Sequence, residues 1–378
     1  MRAAARPRPG PEAHGRDPVL PPRARRHDDP GDPVRRGAAA ARGGARRDAR
    51  RAGRDGVPAV PRHPVRADRL RGRRVRVDRR VRAGPGRGGA PPARGDRRVT
   101  PTFGLYLPQV RRSFAQLATL AEAAEDLGFE AVWFMDHLAL PGVPGGALEG
   151  WTVATAIAAR TSTVRVGHLV LCESFRNPVL LGRMAVTLDQ ISGGRLNLGL
   201  GWGSSPSELT GLGFTADPPR VRRARLAELL DVLGLVVSGR PVDHAGEFFT
   251  VRDPQGGPAA VQSRIPLTIG GVGDGTMALA RERADWWNCW APDTARLGEL
   301  IPRTGKARVS ANYEIAFSHR ADVPGFVLTG PPRELARRLC ADRDLGVRHF
   351  VVQMVDPAGG VRDLRRFMKE VAPAVTGG

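Results

Sequence analysis

Asp136 and His137 follow directly on Ala131-Val132-Trp133-Phe134-Met135, a continuous apolar run of strand length. A carboxylate and an imidazole at the end of a buried strand can serve as acid, base or hydrogen-bond donor near neutral pH. The same two residues could instead cap the following turn. Two glycine-dense stretches offer a different chemistry: Gly199-Leu200-Gly201-Trp202-Gly203 ends an alternating segment, and Gly270-Gly271-Val272-Gly273 follows the apolar run 265–269. Glycine lets backbone N–H groups approach a ligand with no Cβ in the way. A loop that opens a helix also presents unpaired N–H groups to an anion such as a phosphate. Either stretch could equally be a plain tight turn.

These groups need a scaffold that brings strand ends together. Strands are expected at 103–107, 131–135, 164–171, 196–200, 265–269, 285–290, 313–317 and 349–354, with helices in most of the intervals and an irregular arm at 241–263. Ser113 with Gln116 three residues on is a capping-box pattern, and Phe114, Leu117, Leu120, Ala121, Ala124 and Leu127 recur at helical spacing up to Gly128. Eight strands alternating with helices over this length predict a closed (β/α)8 barrel, in which the C-terminal strand ends form the mouth. Read in order, those ends are Gln109, Asp136 with His137, Cys172 with Glu173, Gly201 to Gly203, Gly270 with Gly271, Trp290 and Gln353. Trp287 and Trp290 are an odd number of positions apart and should face opposite sides of their strand. A doubly wound open sheet would place GxGxxG after its first strand, and Leu107-Pro108-Gln109 has no such pattern.

The formal charge of +21 is concentrated at one end. Residues 1–98 hold 29 Arg, no Lys and 10 Asp and Glu, whereas the other 280 residues carry a net charge of only +2. That first segment lacks Phe, Tyr, Trp and Ile and cannot bury a core. Residues 1–99 are therefore expected to be a disordered Arg/Ala/Gly/Pro-rich extension, of the composition that out-of-frame translation of GC-rich DNA gives, with the true start near Val99 or Thr100. The alternative is an arginine-rich arm that binds nucleic acid through phosphates. It has no aromatic residue on which to stack bases, and Asp residues interrupt its basic runs. From 100 to 378 the chain is long enough for one barrel, with no apolar run of membrane-spanning length. Cys172, Cys289 and Cys340 are odd in number and far apart, which suggests neither a disulfide framework nor a CxxC metal site and fits a reducing cytoplasm.

Between about Thr102 and Ala372 six motifs occur in order. They are Gly128-Phe129-Glu130-Ala131-Val132-Trp133 with Asp136-His137; Arg176-Asn177-Pro178; Leu188-Asp189-Gln190-Ile191-Ser192-Gly193-Gly194-Arg195 entering the glycine loop; Glu208 with Leu212-Gly213; the 265–269 strand with Gly270-Gly271; and Gly330-Pro331-Pro332-Arg333-Glu334-Leu335-Ala336. In this series the chain resembles the luciferase-like monooxygenase family, which includes oxidoreductases that use a deazaflavin. The resemblance implies a (β/α)8 barrel that holds coenzyme F420 or FMN across its mouth and acts on a small organic substrate. The reaction would be hydride transfer with F420 or oxygenation with reduced FMN. It implies catalytic roles for His137, beside the ring, and for Asp136, as its orienting partner. A non-proline cis peptide near Leu169 and Val170 would support the ring, while Gly201, Gly203 and Ser207 with Gly270, Gly271, Val272 and Gly273 would hold the phosphate tail. The resemblance is also compatible with a homodimer. Sugar-phosphate dehydrogenases of the family carry a glutamate directly after the glycine loop, where this chain has Ser204, and that argues against their reaction. The segment 294–311 is short for the family, so the outer helix before Tyr313 is expected to be trimmed.

Overall fold

The computed structural model describes residues 100–140, 145–203, 205–320, 322–356 and 359–377. The arginine-rich segment, with the disorder and nucleic-acid readings attached to it, and Ser204 lie outside these residues. Eight parallel strands close on themselves: β1 Thr102–Tyr106, β2 Ala131–Phe134, β3 Arg165–His168, β4 Leu196–Gly201, β5 Leu267–Gly270, β6 Trp286–Cys289, β7 Arg308–Ala316 and β8 Val347–Met354. Each pairs with the next, and β8 pairs with β1, so no strand edge of the barrel is left open. The principal helices are α1 Phe114–Asp126, α2 Gly150–Arg160, α3 Pro178–Ser192, α4 Pro219–Val237, α5 Asp274–Arg283, α6 Leu297–Leu300, α7 Pro332–Leu345 and α8 Gly360–Glu370. This is the (β/α)8 barrel expected from the strand count.

The sequence places the helix boundaries for identifiable reasons. Ser113 and Gln116 form the reciprocal capping box at the start of α1. Asn177 caps α3 by accepting from the N–H groups of Val179 and Leu180, Pro178 occupies the first turn, and Gly193 ends the helix at φ 66°. Helix α6 is a single turn flanked by 3-10 turns, the trimmed outer helix that the resemblance implied.

Alternation along the strands makes two cores. Outward-facing residues pack under the helices, whereas Tyr106, Ala131, Trp133, Met135, Leu169 and Val351 form a separate cluster inside the barrel. Trp133 occupies much of this interior. A Cβ on Gly104 would come within 2.6 Å of both Trp133 Nε1 and His349 Nε2, and one on Gly167 within 2.7 Å of the indole. The indole N–H donates to His349 Nε2 at 3.0 Å, which makes Nε2 the acceptor and leaves Nδ1 protonated toward Thr102 Oγ1, 2.8 Å away. The lower barrel is thus a packed plug. Any cavity has to be at the other end.

Two segments differ from the sequence reading. Strand β7 begins at Arg308 rather than near Tyr313, because Ser310 and Asn312 are polar residues turned inward to bond Asn288 Nδ2, each at 2.9 Å. Within 241–263 an antiparallel hairpin pairs Val242–Ala245 with Thr250–Asp253. Only Val242 is fully buried there, against Val232 and Val236 of α4, so its hydrophobic signal is weak.

Candidate active site

A cavity of about 870 Å³ opens at the C-terminal ends of the strands. It is lined by Asp136, His137, Leu169, Val170, Gly201, Gly203, Gly270, Gly271, Val272 and Gly273, ten of the eleven residues expected there. Ser207 is the exception. It sits exposed in the short helix Pro206–Gly211, and Ser205 lines the cavity instead.

His137 is half-buried, and its Nδ1 lies 2.6 Å from Oε2 of Glu208, whose side chain is 3% exposed. The other carboxylate oxygen accepts the N–H groups of Leu138 and Ala139, each at 2.8 Å. A carboxylate only accepts, so Nδ1 carries the proton and Nε2 is the ring nitrogen left to a ligand. The expectation that Asp136 orients the imidazole is corrected here. Asp136 turns the other way, accepting from Arg176 and, at 2.7 Å, from the N–H of Cys172. Burial pushes the Asp136 carboxyl up to about 6 even with Arg176 beside it. Sequence reading used Glu208 only as a family mark. Its place 71 residues downstream gave no local signal, although a lone acid after the glycine loop was available as one.

Several strand-end residues prove structural. Gln109 is buried and exchanges hydrogen bonds with the backbone of Met135 at 2.8 and 3.1 Å. Glu173 is buried and bonds Arg225 Nε at 2.7 Å. Cys172 lines the cavity with a thiol that burial pushes up to about 11, which keeps it protonated. Trp287 is sealed in the outer layer with its N–H on Gly271 O at 2.8 Å, whereas Trp290 stands at the mouth against Tyr106, ring centres 5.5 Å apart.

The glycines do more than admit a ligand. The Leu169–Val170 peptide is cis, as the resemblance implied. Val170 lies in the gap between β3 and the glycine strands: a Cβ on Gly201 would meet its Cγ2 at 2.6 Å, and one on Gly270 its Cγ1 at 3.0 Å. Val170 leaves no room for a Cβ at Gly201 and crowds one at Gly270. Gly203 at φ 79° and Gly271 at φ 120° are required by their own backbone. Beyond them Gly273 caps α5 without a side chain, and a Cβ there would meet no atom within 4 Å. The turn is open at Gly273, and the Arg223 side chain lies against Gly275 one residue into α5, so unpaired first-turn N–H groups with a nearby guanidinium fit a phosphate. Trp202 Nε1 donates to Thr276 Oγ1 at 2.7 Å and ties the β4 loop to this turn.

The family model for luciferase-like monooxygenases matches the chain over residues 90–318. The chain belongs to the luciferase-like monooxygenase family. An uncharacterized protein of Mycobacterium tuberculosis is 28% identical over 251 residues, 59% of this chain and 85% of its own length. An F420-dependent glucose-6-phosphate dehydrogenase of Kineococcus radiotolerans is 31% identical over 180 residues, 46% of this chain and 52% of its own. Among solved structures, an F420-dependent secondary alcohol dehydrogenase in complex with an F420-acetone adduct has a TM-score of 0.64 at 18% identity, covering 73% of this chain and 99% of its own, and shares the fold. Within this luciferase-like barrel the Asp189-to-Arg195 motif is architectural. Asp189 accepts from Gln262 N and Nε2 at 2.9 and 2.7 Å, and Arg195 donates to the carbonyls of Ala158, Thr161 and Val164. No helix of the described residues is long and apolar enough to cross a membrane, and no cluster of metal-ligating side chains occurs among them.

Proposed function

We propose that this luciferase-like barrel is an oxidoreductase that binds coenzyme F420 and acts on a small organic substrate by hydride transfer, with FMN and oxygenation as the second reading. The observation that carries the proposal is the joint lining of one cavity by the phosphate cradle, Val170 and the His137–Glu208 pair. Both cofactors carry a flat tricyclic ring and a phosphate, which suit the Leu169–Val170 wall and the Gly271–Gly273 turn. When bound, the deazaflavin supplies hydride chemistry and FMN supplies oxygen chemistry.

The chain's own residues have separable tasks. The α5 amides and the loop at Gly203 bind the phosphate. Leu169 and Val170 fix the plane of the ring. His137 Nε2 gives a proton to, or takes one from, a substrate oxygen, and Glu208 holds the imidazole by Nδ1 and balances its positive form. Apolar walls keep water from the reacting centre. The hydride reading is favoured because an imidazole with its own buried carboxylate is suited to repeated proton transfer, which oxidation of an alcohol or reduction of a carbonyl requires. Titration of the purified protein with F420 and with FMN, followed by absorbance and fluorescence, tests the proposal. Stoichiometric binding of F420 is expected, FMN alone would favour the second reading, and binding of neither rejects both.

A further inference from the structure

The cavity is larger than the part of it lined by glycine, and the remaining wall has its own character. Around the barrel β1 stands opposite β5, so Tyr106 at the end of β1 faces the Gly270 side across the mouth. The apolar lining also includes Leu140, Phe175, Leu209 and Trp290, the last packed on Tyr106 with ring centres 5.5 Å apart. Phe175 carries it outward to Phe214, ring centres 4.7 Å apart, and Phe214 and Trp290 are 37% and 38% exposed at the rim. Exposed aromatics at the edge of an apolar concavity mark a surface that is covered when a ligand binds.

Charge is the second observation. Among the described residues lining the cavity there is no Lys or Arg, and the charge-bearing side chains are Asp136, His137 and Glu208. Each of these is already engaged. Asp136 is spent on Arg176 and the Cys172 N–H, and Glu208 on His137 and two backbone N–H groups. A carboxylate or phosphate on the substrate would meet no Lys or Arg in this lining, and an ammonium group no free carboxylate. Burying such a charge unpaired costs far more than the apolar wall returns. The hydrogen-bonding groups left to a substrate include His137 Nε2, the Tyr106 and Ser205 hydroxyls and the Gln353 amide, none of them a fixed charge.

We infer that the substrate is an uncharged, mostly apolar molecule that presents one hydroxyl or carbonyl oxygen to His137. The inference rests on the proposed arrangement in that it assigns the glycine wall to the cofactor and the Tyr106–Trp290 wall to the substrate.

Three probes with one ring system and different head groups test it: 2-naphthol, 2-naphthoate and 2-naphthylmethylamine, followed by their own fluorescence near neutral pH. The full chain is used, saturated with whichever cofactor it binds, or alone if it binds neither. 2-Naphthol is expected to bind at least about tenfold more tightly than either charged probe, the expected penalty for desolvating an unpaired charge. Trp290→Arg places a cation at an exposed rim position and should weaken 2-naphthol while strengthening 2-naphthoate. A charged probe that binds as well as 2-naphthol overturns the inference, as do affinities indifferent to Trp290→Arg. Cofactor binding without head-group discrimination sinks the substrate class alone. Discrimination without cofactor binding sinks the proposed activity and leaves the cavity's preference standing.

Discussion

Glu208 reaches back across the mouth to hold Nδ1 of His137 at 2.6 Å, while the carboxylate next to His137 in sequence, Asp136, is bound to Arg176. The two acids beside the imidazole therefore have different work. One orients the ring, and the other pins the β2 loop to the segment that leads into α3.

The first prediction separates the imidazole from its partner. His137→Ala should lower turnover of the cofactor-loaded enzyme at least about a hundredfold, the usual loss on removing a general acid or base, with cofactor affinity changed by no more than a few fold. Glu208→Gln keeps a hydrogen-bonding oxygen but not the charge, and should lower kcat by about tenfold with little change in KM. Steady-state kinetics with a separate cofactor titration reads both. Unchanged turnover in His137→Ala would remove the ring from the chemistry.

A second prediction concerns pH. The folded-state pKa of Asp136, about 6, lies above its ordinary value, so its ionisation opposes folding. The sign follows: relative to Asp136→Asn, the native protein should lose stability as pH rises from about 4 to about 6 and level off above that. Arg176→Met should be far more damaging at neutral pH, by about 3–5 kcal/mol, because it strands a buried carboxylate. Denaturant midpoints across this pH range provide the measurement.

His168 gives a pH effect of opposite sign. Its ring is wholly buried and lies parallel to Trp151 with centres 5.3 Å apart. Burial pushes it down to about 4, so the unfolded chain takes up a proton before the folded one does. Stability should be fully present above about pH 6.5 and fall by on the order of 3 kcal/mol as pH drops toward 4. His168→Phe keeps the stacked ring and should abolish that loss. A similar acid dependence in the variant would point to another group.

The barrel was legible in the sequence because its strands are short apolar runs separated by capped helices, as at Asn177-Pro178 and Ser113-Gln116. What stayed hidden was pairing over distance. Nothing in the local pattern around Glu208 marks it as a histidine partner, since the contact is made from the short helix Pro206–Gly211, 71 residues along the chain from His137. Inward polar residues such as Ser310 and Asn312 concealed half of β7, for a barrel interior that bonds polar groups to one another does not look hydrophobic. The glycines do line the cavity, but a steric demand from Val170 on Gly201 is invisible until the fold brings β3 beside β4.

That steric demand yields the last prediction. A methyl on Gly201 would lie 2.6 Å from Val170 Cγ2, inside any real carbon contact, so Gly201→Ala must displace Val170 or bend β4. Overpacking of this kind costs about 1–3 kcal/mol, and here it should also weaken cofactor binding because Val170 lines the same wall. Val170→Ala alone removes wall surface and should weaken binding modestly. In the double variant the added and deleted methyl groups offset one another, so its stability should exceed that of Gly201→Ala, with a coupling of about 0.5–3 kcal/mol between the two positions. Thermal unfolding of the four proteins, with cofactor affinity measured on each, closes the cycle. Additive effects would mean that Gly201 is needed for ligand approach and not for Val170.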